Sequence, residues 1–286
     1  MELKGGRMAK FINLWFFIGF FLSFLHNTSL GEEKSFFLFV AGRNNYACYK
    51  KNLDSIFSQK YDNYKVIYVD DASDDGTGEL VKRYIQSRGL EERVILLLNK
   101  ERCYKMANQY RSIYSFCQDN DIVVEIDADD WFPHDQVLSY LNKIYSNEDI
   151  WITHGKFMYY PSGELGASCK YPEEVICKNK FREYKWLCSG LRTYYTWLFK
   201  LIKKEDLIYK GKDSLFQGKF IPDSSDLAIM FPMLEMSRNG HIRFIDSLLH
   251  ICNRDRLEVY DSRMKEVRSD IVFNHLKKIP PYNMLE

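Results

Sequence analysis

No C-x-x-C pair occurs in this chain, and no cysteine lies with histidine at a spacing that would hold zinc. Its seven cysteines are scattered, which excludes a disulfide scaffold, and the odd number leaves at least one thiol free. Cys169, Cys177 and Cys188 are close enough in sequence to pair in an oxidising compartment, but free, partly buried thiols are the simpler expectation. Charge of one sign is lacking too. Lys plus Arg number 40 against 39 Asp plus Glu, so a formal net charge of +1 provides no electrostatic reason to expect a nucleic-acid partner. There is no internal repeat and no Pro/Gly/Ser linker to divide the chain. No strand is followed by a glycine-rich phosphate loop, which excludes both a Walker loop and a dinucleotide fingerprint.

What is present is globular: 286 residues, 46% hydrophobic, 16% aromatic and 28% charged. Lys4, Arg7 and Lys10 precede a mostly apolar run at residues 11–25, which is shorter than a comfortable membrane span. With Ser29 and Gly31 in signal-peptidase positions, residues 1–31 read as a signal peptide or a short membrane anchor. The expected location is the secretory pathway or a membrane, with membrane association through residues 11–25.

From Ser35 the pattern alternates. Short apolar runs at Ser35–Ala41, Lys65–Val69, Arg93–Leu98 and Asp121–Ile126 are separated by helical patterns of ten to fifteen residues. Such strands have too little polarity for a half-exposed face, so they predict an α/β fold with a Rossmann-like, mostly parallel sheet and helices on both faces. Beyond Trp131 a helix is expected from Pro133, a strand at Trp151–Tyr160, an aromatic helical segment at Leu191–Ile202, and a helix at Asp226–Met236. Pro232 should bend or interrupt that last helix.

Ligands bind beyond the carboxyl ends of the strands in open parallel sheets. Two of those ends are acidic here: the second strand runs into Asp70-Asp71-Ala72-Ser73-Asp74-Asp75-Gly76-Thr77 and the fourth into Asp127-Ala128-Asp129-Asp130-Trp131. Crowded carboxylates repel unless a cation lies between them, and an all-oxygen set suits Mn2+ or Mg2+ bridging to a diphosphate. A solvated, Asp-rich turn is the bland alternative, and Asp130 could cap the following helix. A calcium loop starting at Asp71 fails, because its twelfth position is Lys82 where a bidentate Glu is needed.

Together, Ala41-Gly42-Arg43-Asn44, the Asn52–Gln59 segment, VDDASDDGT and DADDW resemble the nucleotide-binding half of family 2 glycosyltransferases with the GT-A fold. Ser189–Ile202, Asp226 with its MFPMLEM helix, and HICNRDR extend the resemblance over nearly all of the chain after the leader. It implies a single GT-A domain at 32–286, with residues 32–131 binding the nucleotide sugar and residues 132–286 holding the acceptor and the catalytic base. It further implies that Asp71 contacts the donor's base and that Ala41, Arg43 and Asn44 pack beside it. By the same resemblance Asp127 belongs to a D-x-D pair on the donor, Asp129 or Asp130 meets the metal, and Arg102 and Lys105 reach donor phosphate. His250 is a further metal candidate, although a lone histidine is more often a packed residue. Four positions depart from the family: Arg43 where many members have an aromatic residue, Gly190 where relatives have His, and His250 and Cys252 where they have Tyr.

The resulting expectation is a metal-dependent, inverting transfer of sugar from a nucleotide-diphosphate sugar, with UDP favoured, to a hydroxyl of a glycan, lipid or protein. Asp226 is the expected catalytic base. The alternative is a non-catalytic, nucleotide-sugar-binding or membrane-tethered partner protein with the same fold, and donor hydrolysis would separate the two.

Overall fold

The computed structural model describes residues 33–255 and 262–286. The expected leader, including residues 11–25, lies outside the described residues. Among the described residues, no helix is long and apolar enough to cross a membrane.

The alternation of the first half becomes β1 (Phe36–Gly42), α1 (Tyr49–Phe57), β2 (Tyr64–Asp70), α2 (Thr77–Ser87), β3 (Val94–Leu98), α3 (Tyr104–Phe116) and β4 (Ile122–Asp127). β1 pairs in parallel with β2 and β4, and β2 with β3. Successive side chains of a strand point to opposite faces, and here both faces are covered. Phe37, Phe39 and Ala41 meet Met106 and Ile113 of α3 in one core. Phe36, Leu38 and Val40 meet Leu53 and Ile56 of α1 with Val81 and Ile85 of α2 in the other. Burial on both faces is the reason these strands read as unbroken apolar runs rather than as alternation.

The second half adds α4 (Val137–Tyr145), β5 (Ile152–Tyr160), α5 (Glu173–Cys177), β6 (Arg192–Tyr195), α6 (Thr196–Lys200), α7 (Ser225–Met236), β7 (Ile242–Asn253) and α8 (Ser262–Asp270). The sheet of seven strands has the order β3-β2-β1-β4-β6-β5-β7. β6 runs antiparallel to β4 and β5, whereas β5 and β7 are parallel, so the sheet is mostly parallel. All seven cysteines are free.

Three sequence expectations in this half are corrected. The segment expected to be helical at Leu191–Ile202 starts as a strand, β6, and only Thr196–Lys200 is helical. Arg192 and Tyr194, two residues apart and so on one face of the strand, both reach buried Glu125, and that period of two overrides the helical spacing of the aromatic residues. The helix expected from Pro133 begins at Val137, because the carbonyls of His134 and Asp135 are taken by Gln59 Nε2 and the Lys60 N–H. Third, Pro232 does not end α7. All of its residues except Asp226 are buried, and it runs through Pro232 without interruption.

Burial on all sides requires a partner for Glu235, which is fully buried near the end of α7. Arg182 clamps it with two bonds, Nε to Oε1 at 2.6 Å and a terminal nitrogen to Oε2 at 2.9 Å. The same guanidinium donates to the Leu276 carbonyl at 2.6 Å, and the Tyr282 N–H donates to Glu235 Oε2 at 2.9 Å. Residues beyond α8 are thereby tied to α7. Removing one partner of such a pair strands a buried charge, so Arg182→Ala should lower stability by about 3 to 5 kcal/mol in urea denaturation. A loss under about 1 kcal/mol would show that the pair is not structural.

Candidate functional site

The strand order runs outward in both directions from β1 and β4, which makes their carboxyl ends the switch point where a ligand crevice forms in open α/β sheets. Register places Gly42 beside Asp70 and Ala41 beside Asp127, so three loops leave the sheet in one row. Gly42 is required there: a Cβ would lie 2.0 Å from Asn45 Nδ2 and 2.6 Å from Ala128 Cβ. The loops are sewn together by hydrogen bonds. Arg43 donates to the Ala72 carbonyl at 3.0 Å and to Asp74 at 2.7 Å, while Asn44 accepts from the Asp74 N–H and donates its own N–H to Ser73 Oγ. Ala41, Arg43 and Asn44 therefore stand beside the Asp70–Thr77 loop, and the Asp71 N–H donates to the Gly42 carbonyl at 2.9 Å.

Asp71 is buried, and its carboxylate holds four donors. Oδ1 accepts from Asn99 Nδ2 at 2.8 Å, Asn108 Nδ2 at 2.9 Å and the Cys103 N–H at 2.8 Å, and Oδ2 accepts from the Tyr104 N–H at 2.9 Å. Burial pushes its pKa up, but these donors prevail and hold it below the usual carboxylate value. The residue expected to read the donor's base is thus also the residue that binds the start of α3 to the end of β2. Arg102, exposed in the same turn, lies over the Tyr104 ring at 4.4 Å.

Two strands further along, at β4, a buried ionic network reaches the surface. Glu125 is 2% exposed within the apolar run of β4. Its carboxylate accepts from Gln109 Nε2 at 2.6 Å and Tyr194 Oη at 2.9 Å, and its other oxygen faces Arg192 at 3.4 Å and Lys105 Nζ at 3.8 Å. Lys105 continues to Asp127 Oδ1 at 2.5 Å. Burial works against the charge on Lys105, yet Asp127 and Glu125 raise its pKa. Burial likewise opposes ionisation of Asp127, but Lys105 and Arg192 lower its pKa. Arg192 is held charged against its own burial by Glu125, Asp226 and Asp127, in that order. The Arg192 guanidinium therefore senses both the β4 end and the start of α7, where Asp226 is the one residue of the helix that is not buried. Glu125, Gln109 and Arg192 were not singled out from the sequence as site residues. The signal was an acid inside DIVVEI, too apolar a run to solvate it.

The residues expected at a metal separate into two groups. Asp130 and His250 hold each other: His250 Nε2 lies 2.8 Å from Asp130 Oδ2, and the Asn253 N–H donates to Oδ1 at 2.8 Å. Both are buried. Their pairing joins the DADDW loop to β7, and Asp130 does not cap α4, whose flanking residue is Gln136. Asp127 and Asp129 remain partly exposed. Among the described residues, no three of His, Cys, Asp and Glu converge as a ready-made metal cage. The all-oxygen chemistry of Asp127 and Asp129 suits Mn2+ or Mg2+, which complete their shells with water and substrate phosphate, better than zinc.

The position of Gly190 also explains one departure from the family pattern. A Cβ there would lie 1.9 Å from the Gly155 carbonyl oxygen, so no side chain, and certainly no His, fits between β5 and the entry to β6.

The profile of glycosyl transferase family 2 matches residues 39–195, from β1 to the end of β6 and more than half of the chain. The chain belongs to that family. No curated protein sequence matches it significantly. Among solved structures, TarS from S. aureus aligns with 84% of this chain and 40% of its own length, at 15% identity and a TM-score of 0.56. The TarS 1–349 fragment in complex with UDP-GlcNAc aligns with 84% of this chain and 67% of its own, at 15% identity and a TM-score of 0.57. The mannosyltransferase PcManGT from Pyrobaculum calidifontis, in complex with GDP-Man and Mn2+, aligns with 84% of this chain and 61% of its own, at 19% identity and a TM-score of 0.51. These likenesses show the GT-A fold. The family 2 chain thus spans less than half the length of the TarS chain first matched.

In this family 2 domain, Asp71 stabilises the fold through its ionised form. Its pKa is lowered on folding, so the contribution is present above the unfolded carboxylate value of about 4 and is lost as pH falls through the folded value. Asp71→Asn should therefore cost about 2 to 4 kcal/mol at pH 7, with the gap from the parent narrowing below pH 4 in acid denaturation. A gap that stayed constant from pH 7 to pH 3 would show that charge plays no part.

Proposed function

We propose that this chain transfers a sugar from a nucleotide-diphosphate sugar to a hydroxyl acceptor, with inversion at the anomeric carbon. The observation that carries the reading is the Lys105–Asp127 ion pair at the β4 end beside Arg192, which Asp127 and Asp226 at the start of α7 both help to hold charged. Support for the donor class comes from family membership and from neighbours bound to UDP-GlcNAc and to GDP-Man with Mn2+. A UDP-sugar is the favoured donor.

Asp226 is the general base. It is the one partly exposed residue of an otherwise buried helix, so its position is held by packing while its carboxylate can meet an acceptor hydroxyl and remove its proton. Lys105 is partly exposed and sits between Glu125 and Asp127, which keeps it charged and directs a positive field towards the donor's phosphates. Asp127 and Asp129 would hold Mn2+ or Mg2+, which supplies charge neutralisation for the departing diphosphate. Asp130 and His250 position this loop against β7 rather than binding donor. The Asp70–Thr77 and Arg43–Asn44 loops form the wall on the nucleobase side, and the spare acceptor capacity of Asp71 Oδ2 is the contact left for the base.

The test is the Asp226→Asn variant with a panel of nucleotide sugars and Mn2+. Donor binding and melting temperature should match the parent, while transfer and donor hydrolysis fall by about a hundredfold to ten-thousandfold. Near-normal turnover would remove Asp226 as the base. A parent that binds UDP but hydrolyses no donor at all would favour the non-catalytic binder.

A further inference from the structure

Beside the start of α7 the surface opens into an apolar groove of about 570 Å³. Its lining is Trp186, Leu227, Val272 and Phe273, with Lys265, Arg268 and Ser269 along one side. Two features fix its place relative to the site. Leu227 directly follows Asp226, and Arg268 forms an ion pair with Asp223 at 3.5 Å, three residues before it. Phe273 is 58% exposed, a large apolar side chain left facing water at the mouth of a concave surface.

The chemistry of the lining selects the occupant. Sugar hydroxyls and peptide amides lose their water on entering such a groove and need polar partners in return, and the four apolar side chains offer none beyond the Trp186 indole. A hydrocarbon chain loses nothing on entry and gains about 25 cal/mol for each Å² removed from water. Among the described residues the charged side chains of the lining, Lys265 and Arg268, are cationic, and since Arg268 already answers Asp223 it is Lys265 that favours an anionic head. The volume lies within the range of small-molecule pockets, which are likewise mostly apolar with a few polar groups that set orientation.

We propose that this groove binds the hydrocarbon chain of an anionic amphiphile, with the head group on the Lys265 and Arg268 side, and so makes a lipid-linked molecule the acceptor whose hydroxyl meets Asp226. The placement of the hydroxyl rests on the reading of Asp226 as base; the binding of the amphiphile does not. The apolar run at residues 11–25, read from sequence as a leader or short anchor, agrees with an acceptor found at a membrane.

Calorimetry on the full chain with monomeric decyl phosphate tests the groove, with the neutral decyl maltoside and inorganic phosphate as comparison probes. Saturable one-to-one binding of decyl phosphate is expected, with a change in tryptophan fluorescence that disappears in Trp186→Phe. Phe273→Glu places a charge in the path of the chain and should weaken binding about tenfold or more. Lys265→Glu should weaken decyl phosphate by about threefold or more and leave decyl maltoside unaffected. Both residues are exposed, so the variants keep the core intact. Equal affinity of the parent and Phe273→Glu overturns the proposal, as does inorganic phosphate binding as tightly as decyl phosphate. UDP binding by the parent, measured in the presence of Mn2+ on the same samples, reports separately on the donor site. Its loss with amphiphile binding retained would refute the transferase reading and leave the groove standing.

Discussion

A single buried negative charge, Glu125, organises the centre of this protein. A carboxylate inside a doubly covered sheet is costly unless its lone pairs are met, and the chain meets them from two elements: Gln109 and Lys105 on α3, and Arg192 with Tyr194 on β6. The antiparallel insertion of β6 beside β4 follows from that requirement, because register brings Arg192 opposite Glu125. The positive charges recruited to neutralise Glu125 then exceed its own charge. The surplus is directed at Asp127 and Asp226, so a demand of the core supplies the electrostatics of the crevice.

A second constraint operates at the end of β2. A loop that carries Asp70, Asp71, Asp74 and Asp75 within six residues would repel itself, yet each acid is given donors from a different element. Asp70 accepts from Ser73, Asp71 from the α3 turn, Asp74 from Arg43, and Asp75 from Thr77 and the Tyr46 N–H. The acidity of this loop is therefore largely structural. It fastens the first three strand ends to one another and shapes the crevice wall.

The first half of the fold was legible because its strands are buried on both faces and its helices on one, which writes two distinct periodicities into residues 35–127. The second half resisted for physical reasons that differ by element. β6 is four residues long and is defined by two polar contacts two positions apart, a signal that the surrounding Tyr and Trp residues conceal. α7 was legible as a helix at Asp226–Met236, but burial on all sides leaves it no one-sided apolar stripe. The strand ends bearing Asp71 and Asp127, and the placement of Asp226 at a helix start, were visible from sequence alone. The pairing of Asp130 with His250 was not, since those residues lie 120 positions apart and neither has a local pattern that names the other.

Arg182, Glu235 and Tyr282 impose an order in time on the molecule. Translation delivers the sheet as far as β6, with its acids, well before the helix bearing Asp226, and that helix waits for the Tyr282 N–H, 47 positions after Glu235, and for the Leu285 N–H, which donates to the Met236 carbonyl. A nascent or truncated chain can thus hold the parallel strands and their acidic ends while α7 still lacks the contacts that seat it. The strand-end loops and the seating of α7 would be acquired in sequence during synthesis, and a proteolytic cut after β7 would separate one from the other.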